Sequence, residues 1–201
     1  MDRVNVLMPA TFGRPRDSSL DAAIVDATQA LLLGEGYSAV NIDRVAKLAG
    51  TTRAAVYRRA NSATELVVML LISRFGVDPA PDSGDLRHDL LLVQQLQRQF
   101  FSDPVVQAAL AGALTAIRDN DALATSFYDR FMAPRRTSVA TMLARAAERG
   151  EIALPQDPGL ISDLLTGPLL LRTLMPQLGS VDDALIDATV NAAISALVPT
   201  R

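Results

Sequence analysis

Apolar positions recur with helical spacing along most of the chain. Leu20, Ile24, Ala27 and Leu31 fall at i, i+4, i+7 and i+11, one stripe of an amphipathic helix. Ser18 or Ser19 can cap it, and Gly34 and Gly36 end it. Tyr37 is expected to pack against this helix, a scaffold burying the apolar faces of the next two. Ile42, Val45, Ala46 and Ala49 mark the second helix by apolar residues at i, i+3, i+4 and i+7. Asn41 is a good N-cap, and Gly50 stands where a left-handed C-cap is wanted. Thr51 and Thr52 can then cap a third helix, Arg53 to Arg59.

Two short helices joined by a few residues containing glycine form a helix-turn-helix, whose second helix enters the DNA major groove. The alternative is a helical core that packs on protein. Ser62-Ala63-Thr64-Glu65 has capping-box spacing and starts a helix running through Leu66, Val67, Leu70 and Leu71 to Phe75. Residues 76–84, rich in Pro, Gly and Asp, read as a loop. Helices are predicted over about 85–102, 104–118, 121–149, 160–175 and 181–198, with Pro134 kinking the long one. No strand period is sustained, so the fold class is all-α. The expected organisation is an arm over 1–17, a helix-turn-helix domain over 18–63 and a helical body over 64–201.

Leu160, Ile161, Leu164, Leu165, Leu169, Leu170, Leu171 and Leu174 cover most of the circumference of their helix. A helix apolar nearly all round is buried on two sides, and a second subunit can supply the second side. Leu165, Leu169, Val190 and Ile194 are the candidate interface positions. Arg172, a lone cation in the run Leu169 to Met175, is expected either there, opposite an acid, or against a ligand anion.

Composition narrows the function. The 201 residues hold no cysteine and one histidine, His88, which excludes disulfides, thiolate metal sites and a cysteine nucleophile. Neither a nucleophile elbow nor a glycine-rich phosphate loop is present, so the chain does not read as an enzyme. No cofactor or metal site is expected. The longest clean apolar run is Leu66 to Ile72, too short for a bilayer, and no signal peptide is evident. No membrane partner is therefore expected, and the expected location is cytoplasmic. The net charge is −3, but it is uneven: residues 1–75 carry nine basic residues against seven acids, and residues 76–201 carry ten against fifteen. A basic head on an acidic body suits DNA. Thr52, Arg53, Ala55 and Arg58 are placed on or beside the outward face of the third helix, with Arg53 suited to guanine and Ala55 to a thymine methyl. Arg44 and Thr51 suit phosphate, and Arg14 and Arg16 of the arm suit phosphate or the minor groove.

Gly36-Tyr37, Ala46, Ala49-Gly50, Val56-Tyr57-Arg58, Ser62 and Glu65-Leu66 together resemble the tetracycline-repressor (TetR) family of regulators. The resemblance is dense over Gly13 to Leu66. It is weaker at Ala133-Pro134-Arg135-Arg136, Arg149-Gly150-Glu151 and Gly167-Pro168-Leu169. It implies a ligand-responsive regulator, usually a repressor, that binds a palindromic operator as a homodimer through a bundle of the last two helices. It implies that Tyr57 contacts phosphate. It also implies a small-molecule effector among helices between Leu66 and Met175, for which Phe100, Phe101, Arg118, Tyr128, Met132 and Arg172 are candidates. The chain departs from the family at Ala63, where a phosphate-contacting lysine is usual. Arg59 and Asn61 are the candidates to compensate.

Overall fold

The computed structural model describes residues 18–76 and 80–197, and the described residues contain no strand. Helix α1 spans Ser18–Glu35, a single 3-10 turn follows at Tyr37–Ala39, and α2 spans Ile42–Leu48. Asn41 caps α2 by accepting from the Arg44 backbone N–H at 3.0 Å. Gly50, at φ 64°, takes the left-handed conformation that lets the chain turn sharply. Thr52 then caps α3, Arg53–Tyr57, by accepting from the Ala55 N–H at 3.2 Å. Ile24, Leu31, Val45, Ala46 and Val56 close the core of this head, all buried.

Helix α4, Ala63–Phe75, begins at the Ser62 cap and runs into the body. Its capping carboxylate reaches one residue further than a strict capping box. Ser62 Oγ accepts from the Glu65 N–H, while Glu65 Oε2 accepts from the Asn61 N–H at 2.7 Å. Tyr37 ties head to body: its hydroxyl lies 2.5 Å from Thr64 Oγ1 on α4, and its ring lies over Gly112 of α6. The body consists of α5 (Leu86–Ser102), α6 (Pro104–Arg118), α7 (Asp121–Phe127), α8 (Ala133–Glu148), α9 (Pro158–Leu174) and α10 (Asp183–Leu197). One apolar core runs from the head through α4 into α6, and a second lies among α5, α8, α9 and α10. No single helix among the described residues is long and apolar enough to cross a membrane.

Two expectations change. The long helix over 121–149 runs unbroken to Glu148, but its irregularity is a π turn at Tyr128–Met132 between α7 and α8 rather than a kink at Pro134 itself. Pro134 offers no N–H to the Arg130 carbonyl and its ring crowds that carbonyl, so the irregularity falls in the turn before the proline. The apolar circumference of α9 is also divided differently. Leu165 and Leu169 are fully buried inside this chain, as is Val190 of α10: Leu169 lies in the core that runs through α4 and α6, and Leu165 and Val190 in the core among α5, α8, α9 and α10. These three are therefore core positions rather than a subunit interface, and Ile194 is partly buried against the core of Leu165 and Val190. The exposed side of α9 carries Leu160, Leu171 and Leu174, 51%, 49% and 41% exposed.

Candidate nucleic-acid interface and ligand cavity

Packing decides which face of α3 points outward. Val56 and Ala60 are buried in the head, and Ala55 with them at 5% exposure, so Ala55 cannot meet a base. The exposed alanine is Ala54, a position the sequence reading missed by one residue. Thr52, Arg53, Tyr57 and Arg58 are exposed and Thr51 is half-buried. Arg14 and Arg16 lie outside the described residues.

Carboxylates of the head hold two of the candidate arginines. Arg53 Nε lies 2.6 Å from Asp43 Oδ1, with both side chains more than half exposed. Arg44 donates from both terminal nitrogens to Glu35, at 2.9 and 2.5 Å. That hydrogen bonding holds the Glu35 carboxyl below the ordinary glutamate range. Exposed pairs of this kind are weak and salt-screened, so a phosphate can exchange for either carboxylate. Arg59 differs. Its guanidinium pairs with Asp21 and donates to the Ala55 carbonyl, and its side chain is only 12% exposed. It clamps α3 to α1 and cannot stand in for the lysine that Ala63 replaces. Ala63 itself is half-buried at the head of α4.

A cavity of about 740 Å³ opens among the end of α4, α5, α8 and α9. Phe100, Phe101 and Met132 line it, as the sequence predicts. Phe100 is the hub of its aromatic wall, with ring centroids 4.9 Å from Phe75, 5.1 Å from Phe101 and 5.6 Å from Phe131. Three arginines share the lining. Arg74 is held by Asp103 at 2.7 Å and Arg136 by Asp163 at 2.5 Å. Arg135 lies 3.7 Å over the Phe131 ring and donates to the Phe131 and Gly76 carbonyls.

Three other candidates do not reach the cavity. Arg118 ends α6 with its side chain 77% exposed beside Asp119. Tyr128 is 51% exposed on the outer side of the π turn. Arg172 turns to the loop after α9, donating to the Ser180 carbonyl at 2.7 Å, and so serves no ligand there. The residues missed include Phe75, Gln97, Phe131 and Ser162. Gln97 lies among Gln94, Gln95, Arg98 and Gln99, and Ser162 precedes Asp163, so neither stands out from its neighbours in the sequence.

Head and cavity are joined by one rigid element. Five residues separate the end of α3 from the start of α4, and Arg74 and Phe75 at the other end of α4 line the cavity. At 1.5 Å per residue its 13 residues span roughly 20 Å.

A helix-turn-helix head carried on one helix into an all-α body that encloses an apolar cavity is the architecture of a DNA-binding transcriptional regulator. The comparisons give the family. The family described as bacterial regulatory proteins, tetR family, matches residues 24–69, and the tetracyclin repressor-like C-terminal domain matches residues 80–193. The HTH-type transcriptional regulator Rv1556 of Mycobacterium tuberculosis is 30% identical over 185 residues, 88% of this chain and 91% of that protein. The DNA-binding transcriptional repressor TetR of Mycobacteroides abscessus is 25% identical, over 91% of this chain and 96% of its own. Among solved structures, the TetR family transcription regulator SCO0332 superposes with a TM-score of 0.69 at 27% identity, covering 90% of this chain and all of that one. The chain belongs to the tetracycline-repressor family of transcriptional regulators.

Proposed function

We propose that this protein is a homodimeric repressor that binds a palindromic operator and is released by a small molecule entering the α4–α5–α8–α9 cavity. The observation that carries this reading is α4, a single helix with one end at the DNA-reading head and the other in the cavity wall. A ligand that moves the Phe75 end must tilt the helix or strain its contacts. Two recognition helices dock together only when about 34–36 Å apart, one DNA turn, so a small pivot of each head lowers affinity. A ligand shifts this equilibrium only as far as it prefers one spacing to the other.

The exposed leucines of α9 support the dimer, since a second copy covers them. They form the contact surface in place of Leu165, Leu169 and Val190. Arg172, at the end of the same helix, lies at the rim of that surface. Repression is supported by the Mycobacteroides abscessus relative, a DNA-binding transcriptional repressor. The site of action is the cytoplasm, on the chromosome. Selection from random duplex DNA at moderate salt tests the reading. Recovery of an inverted repeat with half-sites one turn apart supports it, and enrichment of no sequence shows instead a helical module that packs on protein.

A further inference from the structure

Resting on the effector reading above, we infer that the cavity takes a hydroxylated aromatic molecule of the phenol class, uncharged or weakly acidic, rather than a cation or a carboxylate. The argument starts from two polar atoms. Ser162 is 6% exposed, and its Oγ has no hydrogen-bond partner among the described residues. This is unusual for a hydroxyl on a helix of this chain. Thr28, Thr115, Thr125, Thr141 and Thr173 each bond back to the carbonyl four residues earlier, at 2.8–3.0 Å. Gln97 Oε1 is likewise buried without a partner among the described residues. Both residues line the cavity. A buried polar group left without a partner is costly, and a ligand that supplies the partner recovers that cost.

The partner's chemistry follows from what each atom requires. Gln97 Oε1 is an acceptor and needs a donor, while Ser162 Oγ either donates or accepts. A ligand hydroxyl satisfies either group. A carboxylate has no proton for Gln97 Oε1, and to reach Arg74 or Arg136 it must compete with Asp103 or Asp163. A cation meets Arg74, Arg135 and Arg136 on the walls, with Asp163 the one acid among the described lining residues. The aromatic wall centred on Phe100 suits a flat ring, which gains by stacking or edge contacts beyond the area it buries. The arginine field also favours an acidic O–H, whose charge in donating is drawn toward oxygen. The volume of about 740 Å³ lies within the range of drug-sized ligand sites.

The test uses four probes that share one ring system: 2-naphthol, 2-methoxynaphthalene, 2-naphthoate and 2-naphthylmethylamine. Each is titrated calorimetrically into the full chain. The expected order puts 2-naphthol first, about three- to tenfold tighter than 2-methoxynaphthalene, the worth of one or two hydrogen bonds. Gln97→Met, which removes the acceptor that only a ligand donor satisfies, should shrink that ratio, and Ser162→Ala should weaken 2-naphthol binding. Equal affinity for naphthol and methoxynaphthalene in the unaltered protein overturns the inference without reference to any variant. So does tighter binding of the naphthoate or the amine. Operator affinity measured with the same probes keeps the two readings apart. If 2-naphthol binds with the expected ratio and DNA affinity does not change, the release mechanism fails and the ligand class stands.

Discussion

Replacing Gly112 by alanine should destabilise the protein, although alanine is the better helix former. Gly112 lies inside α6, where glycine costs about 1 kcal/mol relative to alanine. A Cβ there would fall less than 3 Å from three ring atoms of Tyr37, closer than packed carbons approach. Either the ring moves or α6 withdraws. Overpacking of this kind costs about 1–3 kcal/mol. A displaced ring also loses the Tyr37–Thr64 hydrogen bond, worth about 0.5–1.5 kcal/mol. Against the propensity gain, the net loss should be about 2 kcal/mol, or roughly 4–8 °C in Tm for a chain of this length. Thermal unfolding by calorimetry measures it. The decisive version is a double-mutant cycle. In a Tyr37→Ala background the obstruction is gone, so Gly112→Ala should change sign and stabilise by about 1 kcal/mol. If Gly112→Ala stabilises the protein with Tyr37 intact, the ring does not occupy that space, and the proposed clamp between head and body is wrong.

Three further outcomes follow from named contacts. Ala63→Lys should raise affinity for specific and non-specific DNA alike and steepen the slope of log K against log[salt] by about 1.8 per dimer; an unchanged slope would show that position 63 does not face the backbone, since Arg59 is committed to Asp21. Leu171→Glu should abolish dimers in sedimentation without unfolding the chain, because Leu171 is half exposed here, and a persistent dimer would move the contact surface elsewhere. Glu151 accepts from the Leu86 N–H at the start of α5, with Arg149 alongside, and both hold its carboxyl below the ordinary glutamate range. A group depressed in the folded state stabilises above its unfolded pKa, near 4.3, so the Tm gap between wild type and Glu151→Gln should be full at neutral pH and close as pH falls below about 4; a gap that persists in acid would assign it to packing.

Local rules made the caps legible. Asn41, Gly50 and Ser62 each act through backbone groups one to three residues away, so their roles follow from spacing alone. The one-residue error at Ala55 has a physical cause. Adjacent alanines differ by 100° around a helix, and in a five-residue helix no longer periodicity corrects the phase. Only the burial of Val56 and Ala60 in the core of the head decides that Ala54 faces outward.

Periodicity also finds apolar faces without saying what covers them. The reading of α9 as buried on two sides rests on the same leucines that the structure exposes or encloses, yet Leu165 and Leu169 face this chain's own two cores while Leu171 and Leu174 face solvent. The distinction is made by residues far away in sequence, so no window along α9 contains it. The cavity is a harder case. Phe100, Phe101 and Phe131 have the composition of a core wall, and what makes them a cavity wall is the neighbour they lack on one side. An absent neighbour leaves no mark in a hydrophobic pattern. A polar residue within such a stretch does leave one, because a buried hydroxyl or amide must find a partner. Ser162 and Gln97 line the cavity, but Gln97 lies among Gln94, Gln95, Arg98 and Gln99 and Ser162 precedes Asp163, so neither interrupts an apolar run and only their burial in the fold marks them. Gln94 shows the limit of that rule. It is buried one turn before Gln97 and outside the cavity lining: its amide nitrogen donates to the Leu165 carbonyl at 2.8 Å, joining α5 to α9, while its Oε1 also has no partner among the described residues.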